Sequence, residues 1–180
     1  NRTADQSLAE VVVDAIEADP VTSADKLLLR LKNQRSTENQ LMVYVWALGI
    51  AKQERAIEQL VKLHRENQSE KVKGNCLRAL ASVGGKKAED YILAVLDVAS
   101  DKDARFDLLN LLGQMQCERA LPKAEEVLKK DPNQFYWQSI FVFGKMGDKA
   151  VPYLLAKISD KDRNVRANAI NVLGQWQLAP

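Results

Sequence analysis

The chain has 180 residues, 46% of them hydrophobic and 28% charged, the make-up of a packed, water-soluble protein. Aromatics are only 6%, and 8 glycines and 5 prolines are too few for an all-β fold with many tight turns. Lys and Arg total 26 against 24 Asp and Glu, a net charge of +2 that lacks the concentrated basic charge of a dedicated nucleic-acid binder. Apolar runs such as 41–51 are too short to span a bilayer.

Small residues recur at a fixed period. Ala24, Ala56, Ala88, Ala120 and Ala150 are 32, 32, 32 and 30 residues apart. Gly49, Ala81, Gly113, Gly144 and Gly174, each closing an apolar run, are 32, 32, 31 and 30 apart. Two markers on one period make the chain an array of a single small unit.

In chain order, residues 7–18 form an amphipathic stretch before Pro20. Counting back 32 from Gly49 reaches Glu17, so this stretch is an N-terminal cap or the second helix of an incomplete unit. The first unit, 20–50, turns at Ser36-Thr37-Glu38, and its second helix is the most divergent. The second, 51–83, turns at Gln68-Ser69-Glu70, and the third, 84–114, at Ser100-Asp101-Lys102-Asp103. The fourth, 115–145, turns at Asp131-Pro132. Pro122, Pro132 and Pro152 each suit the opening turn of a helix, where a missing N–H costs nothing.

The last unit, 146–176, shows the design most clearly. Val151, Leu154, Leu155 and Ile158 recur at helical spacing, and Ser159-Asp160-Lys161-Asp162 ends one helix and caps the next. Val165, Ala169, Ile170 and Leu173 form a second stripe, which Gly174 is expected to end as a C-cap. A two-helix unit of this size cannot bury its stripe alone and must stack on its neighbours. The expected fold is therefore all-α: one domain over 1–180, a right-handed α–α superhelix of about five two-helix repeats plus an N-terminal helix.

Ala150, Pro152, Leu154, Ile158, Asp160, Asp162, Val165, Arg166, Ala169, Leu173 and Gly174 follow one pattern, with weaker copies over nearly all of 20–180. That pattern resembles the short HEAT-like repeat of the phycobilisome-lyase type. The resemblance implies a HEAT-like solenoid that serves as a scaffold for other proteins. It also implies hydrogen bonds between adjacent repeats from a turn aspartate and a helix-opening arginine. Asp160 or Asp162 with Arg166, and Asp101 or Asp103 with Arg105, match that pair. Lys73, Tyr136 and Leu41 hold the arginine place in the second, fourth and first units, which interrupts the ladder.

Chemistry is sparse. His64 is the single histidine and reads as a surface or helix-end residue rather than a base. Cys76 and Cys117 have no metal or redox spacing; Cys76 falls at a core position. Gly84-Gly85-Lys86-Lys87 lacks the phosphate-loop spacing and follows a helix, so it is a turn between repeats. Lys129-Lys130 and Lys71 with Lys73 read as solvated helix ends. No catalytic residue, metal ligand or cofactor is expected, and the protein reads as a non-enzyme.

The second helices carry the one functional pattern. Positions seven, six and three before each closing residue avoid the apolar stripe and are expected on an inner, concave surface. They supply Met42, Trp46, Asn75, Arg78, Phe106, Asn110, Trp137, Gln138, Phe141, Asn168 and Asn171 as candidate partner contacts. Aromatic anchors beside amides suit a peptide or partner helix, the rings burying side chains and the amides pairing with its backbone. The competing reading has the rings filling gaps between neighbouring helices.

The leading expectation is a protein-interaction scaffold. One alternative, which the resemblance implies, is a bilin lyase-like protein handling a chromophore, revealed by bilin-dependent absorbance. A less favoured one is nucleic-acid binding, revealed by salt-sensitive retardation of DNA. Asn1 in place of methionine points to a processed or truncated chain. Compartment is unwritten, with the cytoplasm slightly favoured.

Overall fold

A computed structural model describes residues 8–32, 36–130 and 132–177. The described residues form eleven α-helices and no strand. In chain order these are α1 (Leu8–Ala18), α2 (Pro20–Leu31), α3 (Glu38–Ala51), α4 (Ile57–Glu66), α5 (Glu70–Val83) and α6 (Gly85–Val98). Then follow α7 (Lys102–Gln114), α8 (Leu121–Leu128), α9 (Pro132–Met146), α10 (Val151–Lys157) and α11 (Arg163–Gln177). The fold is all-α, built from helix pairs.

Short polar side chains start these helices. Asp19 accepts from the Thr22 N–H ahead of Pro20, Ser69 from Val72 and Asp101 from Ala104. Thr37 and Gln40 form a reciprocal capping box on α3. Each such cap is worth about 1 kcal/mol. Before α4, α8 and α10 the chain makes a 3-10 turn, Glu54–Ala56, Glu118–Ala120 and Gly147–Ala150. The alanine closing each turn is fully buried, as are Ala24 and Ala88. That explains the first periodic marker: where each first helix opens, close packing leaves room for a methyl group only.

The chain divides into two compact units, Asn1–Ile92 and Leu93–Pro180. In the first, α3 packs on α1, α2 and α5, and α5 packs on α4. Val45, Leu48, Leu60, Val72, Cys76 and Leu80 are fully buried there. In the second, α9 lies against α7, α8 and α11, and α11 also packs on α8 and α10. Leu109, Leu112, Leu128, Val142, Phe143, Leu154, Val165 and Ala169 are among its fully buried side chains. Each buried leucine contributes about 1.5–3 kcal/mol relative to exposure, the main term holding either unit together.

The closing small residues do not end their helices. α3 runs past Gly49 to Ala51, α7 past Gly113 to Gln114, and α11 past Gly174 to Gln177. Gly174 is therefore not a C-cap. A Cβ on Gly49 would stand 3.1 Å from the Ala79 Cα on α5, and one on Gly113 3.1 Å from both the Val142 carbonyl oxygen and the Lys145 Cβ on α9. The glycines let neighbouring second helices touch backbone to backbone, and the Ser82 hydroxyl uses that approach to donate to the Gly49 carbonyl at 2.8 Å. Left-handed backbone falls elsewhere, at Lys52 after α3 and at Gly84 and Gly85, where the chain turns into α6 as the sequence led us to expect.

The arginine–aspartate ladder is also different from the expected one. Arg166 donates to the carbonyls of Asp160 at 2.7 Å and Lys161 at 3.0 Å, not to a carboxylate. Arg105 donates to the Leu96 and Ala99 carbonyls and reaches forward to Glu126 on α8. Asp101 and Asp162 instead cap their helices. A guanidinium beside a helix C-terminus meets that helix's orphan carbonyls, so both arginines close their own hairpins, and Arg105 also joins the next through Glu126.

Candidate functional site

α9 reads PNQFYWQSIFVFGKM and is apolar on more than one side. Ser139, Val142, Phe143 and Met146 are its buried side. Turned away from them are Trp137, 73% exposed, and Phe141, 48% exposed. They lie four residues apart and so share one face of the helix. From α7, the Phe106 ring stacks on Phe141 with centroids 6.2 Å apart and planes 25° apart. Phe106, Trp137, Gln138, Ile140 and Phe141 line an open, almost wholly apolar groove of about 370 Å³.

Two cations edge this groove. The Lys145 ammonium sits 4.0 Å from the centre of the Phe141 ring. The Lys130 ammonium donates to the Gln138 side-chain oxygen at 2.9 Å, which orients that amide. Large apolar side chains left in water and gathered into one depression mark a place where something else can be buried.

The structure sorts the other candidates. In the first unit Trp46 is exposed on α3 with Met42, half-buried, one turn before it. On α5 the exposed Arg78 donates to Asn75 at 3.1 Å. Asn171 on α11 is half-buried. Asn110 and Asn168 must be corrected: both are buried, Asn168 completely. Asn168 donates to the Leu128 and Lys130 carbonyls at 2.8 and 2.9 Å, binding the end of α8 instead of facing solvent. Ile140 and Lys145 were missed. Ile140 follows the stripe periodicity and so resembles core, while Lys145 stands one turn after Phe141, a spacing that could have revealed it.

No reactive constellation is assembled among the described residues. The His64 ring nitrogen pairs with the Tyr91 hydroxyl at 2.7 Å, edge-on to that ring, and burial lowers its pKa. It lies in the last turn of α4, as expected of a helix-end residue, and packs there against α6. Burial pushes the Cys76 thiol up to about 12, far from a thiolate nucleophile. No group of three or more His, Cys, Asp or Glu side chains is placed to hold a metal, and no helix is long and apolar enough to cross a membrane, among the described residues. The strongest electrostatic cluster joins α8 to α10. The Glu125 carboxylate accepts from Lys157 and from Tyr153 at 2.9 Å and is held at about 2, chiefly by Lys157.

Hairpins that pack second helix on second helix, with glycines at the crossings, define a helical-repeat protein. Residues 57–136 match the family model of HEAT repeats, and over that stretch the chain is built of HEAT-like repeats. HEAT repeats generally mediate contacts between proteins. No curated protein matches the chain.

Proposed function

We propose that this protein is a non-catalytic scaffold that binds a peptide segment or helix of a partner protein in the groove of Phe106, Trp137, Gln138 and Phe141. The supporting observation is the stacked Phe106–Phe141 pair with Trp137 standing exposed beside it. Two adjacent aromatic anchors are each worth about 2 kcal/mol or more when a partner covers them. Gln138, oriented by Lys130, is placed to meet the partner's backbone, and Lys145 raises the affinity for an acidic residue next to an apolar one. We assign the same role to Trp46 and Met42 on α3 and to Asn75 and Arg78 on α5 in the first unit, and to Asn171 on α11 in the second.

The test is a pulldown with the wild-type chain and with Trp137→Ala/Phe141→Ala. Both side chains are exposed enough that the variant should keep its helical content and melting temperature. Partners identified with wild type should be lost from the variant. Undiminished capture by a folded double variant overturns the groove.

A further inference from the structure

In the first unit α3 packs against α1 and against α5, which have no comparable contact with each other. The three helices share one register: Ile16, Leu48 and Leu80, each 32 residues from the next, are buried at matching places on them. Two residues earlier stand Asp14, Trp46 and Arg78, again 32 apart. Two residues turn a helix by about 200°, so this second row points away from the core. All three side chains are exposed, Trp46 by 43%. Across α1, α3 and α5 the row therefore presents an acid, an aromatic ring and a base. The helices repeat that order. α1 has no basic residue between Leu8 and Ala18, and its Glu17 is exposed as well. α3 has no charge after Glu38, and the exposed Val43 and half-buried Met42 stand one turn before Trp46 on its face. On α5 Lys71 and Arg78 are exposed, and the acid Glu70 is taken up by Lys73 at 2.8 Å. The Arg78 guanidinium is held in place, donating to the Asn75 side-chain oxygen at 3.1 Å and lying over Gly74, where a Cβ would stand 3.6 Å from it.

We propose that this face binds an extended segment of a partner protein in which a large apolar residue stands between a basic and an acidic one. The apolar residue covers Trp46, Met42 and Val43. The basic residue pairs with Asp14, and the acidic one meets Arg78, whose guanidinium has N–H donors to spare beyond the one given to Asn75. Packed helices lie about 8–10 Å apart and an extended chain advances about 3.3 Å per residue. The charged residues therefore stand about three positions either side of the apolar one. A wholly acidic or wholly basic segment meets a like charge at one end, and that repulsion makes the face selective. The inference rests on the reading of the protein as a scaffold and adds the charge pattern of the segment that its first unit takes.

Short random peptides displayed on phage and panned on the full chain test this. Binders weakened at least about tenfold by Trp46→Ala, and kept by Trp137→Ala/Phe141→Ala, belong to this face. They should carry a base and an acid flanking a large apolar residue, in either chain direction. Panning on Arg78→Glu should exchange the acid for a second base, and panning on Asp14→Lys should exchange the base for a second acid. The substituted side chains are exposed, so melting temperatures should match wild type. Trp46-dependent binders without a charge preference, or with one that Arg78→Glu leaves unchanged, overturn the proposal. It is also overturned if every binder is of the kind lost from Trp137→Ala/Phe141→Ala, a result that keeps the scaffold reading. A folded chain that selects neither kind of peptide overturns both.

Discussion

Asn168 takes two of the carbonyls that α8 leaves unpaired at its C-terminus, and the Asn164 amide takes a third, that of Lys129, at 3.2 Å. One helix start therefore caps the end of another, a hairpin away. Asn168→Ala leaves one buried and one part-buried carbonyl without this donor. Urea denaturation should report a loss of about 2–4 kcal/mol, with binding in the groove unaffected. An unchanged midpoint would mean that water replaces the amide.

Glu125 sets a pH dependence whose sign follows from its partners. Its carboxyl is held at about 2 by Lys157 first, then by the Tyr153 hydroxyl and Lys129, against about 4.3 for an unperturbed glutamate. A depressed carboxyl contributes stability above its unfolded pKa and loses it as pH falls through the folded one. Lys157 is raised by the same contact, so its share is present at neutral pH and disappears only in strong alkali. Glu125→Gln should be less stable than wild type at pH 7, and the gap between their denaturation midpoints should close as pH falls from about 4.5 towards 2. A gap that stays constant over that range would show that the ion pair adds nothing.

At the scale of the helix, one residue type in one repeat position has opposite consequences. At Gly49 a Cβ would meet the backbone of α5, which cannot yield as a flexible side chain would. Gly49→Ala gains about 1 kcal/mol of helix propensity and incurs about 1–3 kcal/mol of overpacking, so a net loss is expected. At Gly174 the space is open, and in dilute solution Gly174→Ala should stabilise by about 0.5–1 kcal/mol. Thermal melts of the two variants should move in opposite directions. Glycine's period was visible in the sequence, but its purpose was not. A glycine near a helix end reads as a cap when only neighbours in sequence are considered, and here it serves a helix some 30 residues away.

At the scale of the whole molecule, each unit has a centre and a margin. In the first, α3 has neighbours on several sides, whereas α1 packs on α2 and α3. In the second, α9 is held among α7, α8 and α11. Contacts in repeat arrays run between neighbours, so protection should follow that count of neighbours. Amide hydrogen exchange should be slowest in α3 and α9 and faster in α1. Equal protection in α1 and α3 would contradict nearest-neighbour stabilisation.

Helix starts, turns, the hairpin period and the recurring alanines could all be read from the one-dimensional string. Each depends on groups within four residues of one another or on a spacing repeated five times. Which side of a second helix is covered could not be read, because one residue turns the helix by about 100° and every apolar or amide side chain serves equally well inside or out. Asn110 and Asn168 were thus placed on the surface and proved buried, while Phe106, Trp137 and Phe141 were placed there and do line an open groove. Burial is a property of the helix that lies opposite, and packing in three dimensions alone assigns that neighbour.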